Sequence, residues 1–135
     1  MKKNNKILIV VLACMIIAGI VCIVLSGKKP FKNLSATNVE SATVLLIPPN
    51  ETIKITDIEE LTGYLRNVVI YNEDNSYTEY SGQGVIFTLH MMDGTQVEVG
   101  AYNPFIIIDG VGYKCKYEPC EALSNYANRF LMDSE

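Results

Sequence analysis

The chain has 135 residues, 49% of them apolar, and a formal net charge of −4; that length allows one ordinary domain and a short appendage. The charge is unevenly placed. Lys2, Lys3, Lys6, Lys28, Lys29 and Lys32 flank an apolar run, and from residue 33 onward five basic residues face fifteen acidic ones, a balance of −10. So acidic a distal region argues against a nucleic-acid partner, because phosphate neutralisation needs clustered Lys and Arg.

In chain order, residues 1–6 form a short basic n-region expected to stay in the cytoplasm. Residues 7–25 (ILIVVLACMIIAGIVCIVL) carry no charge. As a helix they reach roughly 28 Å, close to the ~30 Å hydrocarbon core of a bilayer. They also lack the polar face of a soluble amphipathic helix. The expectation is a single-pass transmembrane signal anchor over 7–25. Two other fates compete. Val24-Leu25-Ser26 ends on a small residue, which suits cleavage before Gly27, but the apolar run is longer than an ordinary signal-peptide core. Val11-Leu12-Ala13-Cys14 is similar to a lipobox, which makes Cys14 a lipidation candidate, although apolar residues follow it where a polar tether is usual. All three fates place residues 30–135 outside the cytoplasm, and the spanning anchor holds them at the cell membrane.

Residues 26–38 read as a polar linker with a proline. Residues 39–135 then carry the domain. Ser41–Ile47 is a β-rich run stopped by Pro48-Pro49, and Glu51–Ile55 alternates with Ile53 and Ile55 on one face. Thr56 with Glu59 gives a capping-box pattern, and Ile58, Leu61 and Leu65 form one apolar helical face. Val68–Tyr71 is strand-like, and residues 72–80 are a polar loop. Gly84–Met91 alternates, with Val85, Phe87, Leu89 and Met91 facing one way and Ile86, Thr88 and His90 the other. Asp93-Gly94 and Asp109-Gly110 signal hairpins, the first read as a type I′ turn. Thr95–Val99, Pro104–Ile108 and Val111–Cys115 supply the remaining strands. Pro119 opens a last helix, whose stripe is Leu123, Tyr126, Ala127, Phe130 and Leu131. The expected fold class is α+β: an antiparallel β-sheet meander with two helices packed on one face, preceded by the N-terminal transmembrane helix.

Four features together carry a resemblance: the basic start with one apolar helix, ETIKITD running into IEELTGYL, the Asp93-Gly94 hairpin, and IIIDGVGYKC before the last helix. In these the chain resembles small membrane-anchored or secreted extracytoplasmic domains of unknown function in Gram-positive Firmicutes. The resemblance implies placement outside the cytoplasm and carries over no catalytic residue.

Candidate chemistry is sparse. His90 is the only histidine, and Ser81 lacks a nucleophile-elbow pattern, so neither points to triad chemistry. Glu73-Asp74-Asn75 offers oxygen ligands without the spacing of a calcium loop. Cys115, Cys120 and His90 are too dispersed for a zinc site, and no cofactor is expected. Cys115 and Cys120 bracket the junction of the last strand and last helix, as a candidate disulfide or as buried thiols. Acidic Glu118 and Glu121 are expected to raise their thiol pKa values. Tyr71, Tyr77, Tyr80 and Tyr102 are the candidate binding surface, against the ordinary reading of half-buried sheet packing. The expected function is a noncatalytic, membrane-tethered module that binds a protein or envelope component. The alternatives are a surface immunity or inhibitor protein suited to a basic target, and a lipoprotein or secreted enzyme.

Overall fold

The structure is a computed structural model that describes the backbone of residues 2–80 and 84–133 and the side chains of residues 4–20, 27–80 and 84–133. Ser81 and the side chain of Cys22 lie outside the described residues. The described chain forms three α-helices, α1 (Lys2–Ser26), α2 (Ile58–Arg66) and α3 (Tyr117–Asp133). It also forms seven strands: β1 (Val39–Ile47), β2 (Glu51–Ile55), β3 (Ile70–Glu73), β4 (Gly84–Met91), β5 (Gln96–Tyr102), β6 (Phe105–Ile108) and β7 (Val111–Cys115). The strands make one antiparallel sheet in the order β2-β1-β4-β5-β6-β7-β3. The α+β class and the meander are therefore as expected. The sheet is larger than a simple run of neighbours, because β3 crosses to the far margin beside β7.

Register explains the layering. Directly opposed residues share a face. Val44 pairs with Ile53 on one side and Phe87 on the other, and Phe87 in turn pairs with Val99. This row faces the helices, where Leu61, Leu65, Leu123, Tyr126 and Ala127 close the core. Phe87, Leu61, Leu65 and Leu123 are fully buried. Each such side chain contributes about 1.5–3 kcal/mol relative to exposure. The alternate row of Leu45, Ile86, Gly100, Ile107 and Gly112 points to the opposite face, which no α-helix covers among the described residues.

Local chemistry shifts two expected features. The cap of α2 is Asp57, whose Oδ1 accepts from the Glu60 backbone N–H at 3.0 Å; Thr56 does not serve. The carboxylate reaches the orphan N–H with its backbone still outside the helix. At the Asp93-Gly94 turn only Gly94 has positive φ (+89°), and the Gly94 N–H donates to the Met91 carbonyl at 3.0 Å. It is a three-residue loop with glycine in the left-handed position, rather than type I′. At the other turn Asp109 (φ 50°) and Gly110 (φ 87°) are both left-handed, the condition type I′ imposes.

Residues 28–38, expected to be a linker, are part of the domain. Lys28 and Ile70 exchange both backbone hydrogen bonds at 2.8 Å. Phe31 and Leu34 pack on the core, and the Arg66 guanidinium donates to the Leu34 carbonyl at 3.0 Å. Polar composition hid two apolar anchors. Gly27 (φ +77°) allows the close approach: a Cβ there would lie 2.6 Å from Val69 Cγ1.

Ten large apolar residues of α1 between Ile7 and Ile20 are 49–66% exposed, on all sides of the helix. Among the described residues no helix is long and apolar enough to cross a membrane. The described apolar side chains of α1, 7–20, extend about 21 Å.

Candidate functional site: an apolar groove on the open face of the sheet

The outer face divides along its length. One end carries Ser41, Thr43, Thr88, His90 and Gln96, and the other carries Ile47, Ile86, Tyr102, Phe105 and Ile107. At the apolar end the strands carry glycines at Gly84, Gly100 and Gly112, which remove side chains from the surface. The first two leave a hollow. A Cβ at Gly100 would find Ile107 nearest, at 3.4–3.8 Å, and one at Gly84 would meet Tyr102 Cδ2 at 3.6 Å.

The third glycine seats a wall. The segment after β3 makes one turn of 3-10 helix, Ser76–Glu79. It lies over β6 and β7, where Tyr77 and Tyr80 approach the Phe105 ring with centroid distances of 6.3 and 5.8 Å. The segment is tied down at both ends of the contact. The Asp74 N–H donates to the Gly112 carbonyl at 2.8 Å, the Gly112 N–H donates to Asn75 Oδ1 at 2.8 Å, and the Tyr77 hydroxyl donates to the Gly110 carbonyl at 3.1 Å. The ammonium of Lys114 sits 4.5 Å from the Phe105 centroid, a cation–π contact on the same ring.

The result is a groove of about 540 Å³, walled by Ile47, Ile86 and Tyr102 on one side and Tyr77, Tyr80 and Ile107 on the other. Among the described residues Glu98 is the one charged residue lining it. That size lies within the usual range for small-ligand sites, roughly 300–1,000 Å³. At the Gly84 end the groove adjoins a second hollow of about 370 Å³ between the sheet and α3, lined by Asn103, Ser124, Asn125 and Asn128. Ile47, Gly84 and Tyr102 border both. An apolar slot thus continues into a cleft of amide donors and acceptors.

Three of the four sequence-picked tyrosines, Tyr77, Tyr80 and Tyr102, line the groove. Tyr71 does not: it lies on β3, beside Gly27. The aliphatic half of the site, Ile47, Ile86 and Ile107, was not singled out in the sequence. The signal was present, because glycines inside strand patterns mark surfaces that other groups approach closely.

The other candidates are placed elsewhere. His90 is exposed at the polar end, opposite Ser41 and Gln96. Asp74 Oδ1 accepts from the Ser76 N–H at 2.9 Å and its other oxygen lies 3.8 Å from Lys114 Nζ, so the acidic stretch 73–75 builds the groove wall. Among the described residues no three His, Cys, Asp or Glu side chains group as metal ligands. Cys14 is exposed on α1.

Cys115 and Cys120 are brought together as buried free thiols. The Cys120 Sγ lies 3.7 Å from the Phe105 carbonyl oxygen and the Cys115 Sγ lies 3.8 Å from Asn103 Oδ1. The two thiols titrate apart. The hydrogen bond from Cys120, helped by the charge of Lys114, pulls Cys115 below the ordinary thiol value against the effect of burial. The same contact, burial and the charge of Glu121 push Cys120 far above it. Of the two acidic neighbours expected to raise both thiols, only Glu121 contributes, and only to Cys120, behind the Cys115 contact and burial.

Comparison of the chain with protein-family models, with curated proteins and with solved structures gives no match.

Proposed function

We propose that the chain is a membrane-anchored, extracytoplasmic binding module that performs no chemistry of its own. Its groove takes an apolar group of a protein or envelope component. The observation that carries the reading is the groove: a sheet face stripped to glycine at Gly84 and Gly100, beside aromatic and aliphatic walls held by backbone hydrogen bonds. Apolar lining with a few polar groups at one end is the composition of a recognition site. Three of its carboxylates are engaged by backbone N–H groups. Asp57 caps α2, Asp93 accepts from Thr95, and Asp109 accepts from the Glu98 N–H at 2.8 Å.

Anchoring is supported by the uncharged run over 7–25 and by the wide exposure of Ile7–Ile20. An apolar surface that surrounds a helix is unfavourable in water and favourable in lipid. The basic n-region then stays in the cytoplasm and the acidic domain lies beyond the membrane.

The test places a photo-crosslinking amino acid at Tyr102 of the full-length chain in its native membrane. A discrete adduct that disappears when Gly100→Val fills the groove supports the reading. Absence of an adduct, or one indifferent to Gly100→Val, refutes it.

A further inference from the structure

We propose that the face of the domain around the end of α1 is a seat for the headgroups of an anionic bilayer, built jointly by Lys28, Lys29 and Lys32 and by Lys116 from the distant β7–α3 junction. This rests on the anchoring reading above and adds a lipid preference to it.

The domain is acidic as a whole, yet Lys28, Lys29 and Lys116 come together here. Lys28 and Ile70 exchange backbone hydrogen bonds, and the Lys116 N–H donates to the Val69 carbonyl at 3.0 Å. The backbones of two lysines 88 positions apart in sequence thus flank the same dipeptide, Val69-Ile70. Lys29 and Lys116 then line a shared hollow of about 410 Å³ with Tyr64, Asn67 and Glu118. Among the described residues Glu118 is the only carboxylate in that lining. All four lysines and Glu118 are exposed.

Depth follows from the join. Gly27 is packed against Val69 and Tyr71, so the last turn of α1 ends against this face, and Lys28 and Lys29 follow within three residues. The headgroup layer is only about 5–8 Å thick on each side of the hydrocarbon. A spanning helix ending at Ser26 therefore delivers these lysines into it. Tyr71 and Tyr117, 38% and 61% exposed, flank the same place, and tyrosine is enriched at that boundary. Lipid phosphates carry the complementary charge, and each lysine at such a surface is worth about a fivefold gain in binding.

The test uses the full chain in nanodiscs of phosphatidylcholine alone, or of an equal mixture with phosphatidylglycerol. Lysine acylation by a water-soluble ester is read by mass spectrometry, with exposed Lys54 on β2 as the internal reference. Lys29 and Lys116 are expected to react about fivefold or more slowly in the anionic discs. That protection should be lost at about 0.5 M salt, where screening shortens to about 4 Å. In Lys116→Gln the protection of Lys29 should fall. Equal rates in the two lipids overturn the seat and leave the anchor standing. Protection by soluble glycerol phosphate in phosphatidylcholine discs assigns the site to a free phosphate and also overturns it. A chain that enters neither disc overturns the anchor and the seat together.

Discussion

Tyr77 occupies the space that a side chain at Gly112 would need. A Cβ on Gly112 would lie 2.5 Å from Tyr77 Cδ1 and 2.5 Å from the Asp74 carbonyl oxygen. The groove wall is therefore seated on a position where the sheet has no side chain, and the pair sets how close residues 74–80 come to β7.

Gly112→Ala is expected to cost about 1–3 kcal/mol, because backbone as well as a ring must move. Gly100→Ala, whose new methyl comes no closer than 3.4 Å to its nearest neighbour Ile107, is expected to stay within about 1 kcal/mol of the parent. Urea unfolding of the two variants makes the comparison. Equal costs would show that the wall is held by something other than this contact.

Tyr126 carries a buried hydroxyl with no hydrogen-bond partner among the described residues, while its ring stacks on Tyr64 at 4.8 Å and meets Phe130 edge-on at 5.2 Å. Tyr126→Phe keeps the rings and removes the orphan. It is expected to leave stability unchanged or raise it by up to about 2 kcal/mol. Burial first, then the charges of Glu60 and Asp57, pushes the Tyr126 pKa up to about 12. The neutral form is thus favoured in the fold. The parent should lose stability as pH rises from about 10 through 12, and the phenylalanine variant should lose less. Alkaline titration followed by circular dichroism checks both.

Asp74 is held below the ordinary aspartate value of 3.8 by hydrogen bonds from Ser76 first, and also by the Lys114 charge. A lowered folded value gives a stabilisation fully present above 3.8 and lost as pH falls through the folded value. Asp74→Asn should therefore flatten the acid limb of the stability curve. An unchanged limb would remove Asp74 from the account of the groove wall.

Cys115 should be alkylated before Cys120, because only its thiolate is favoured by its surroundings. In Cys120→Ala the pH midpoint of Cys115 alkylation should rise, since the stabilising hydrogen bond is gone. Mass spectrometry of iodoacetamide-treated protein reads both, and preferential labelling of Cys120 would contradict the thiol contact.

Much of the sheet was legible in the chain. Val85, Phe87 and Leu89 alternate with Ile86, Thr88 and His90, and a period of two leaves no choice of face. The groove was only half legible, because its walls come from separate elements that meet only after the sheet has closed: Ile47 from β1, Tyr77 from a loop, Ile107 from β6. Tyr71 is close in sequence to Tyr77 and Tyr80, yet on β3 it lies beside Gly27, while those two lie in the segment that folds over β6 and β7. Residues 28–38 read as a linker because polar residues outnumber the two that matter, Phe31 and Leu34.

The two margins of the sheet are not equivalent. The β3 margin is already met at Ile70 by Lys28, whereas β2 has no further strand beside it among the described residues. If copies of this chain joined strand to strand, β2 would be the place, and the pair so formed would present a β3 margin at each outer limit. Fibrous growth needs two sticky ends per subunit. The short backbone exchange between Lys28 and Ile70 occupies the β3 margin at its first residue, so β2 carries the longer open edge among the described residues.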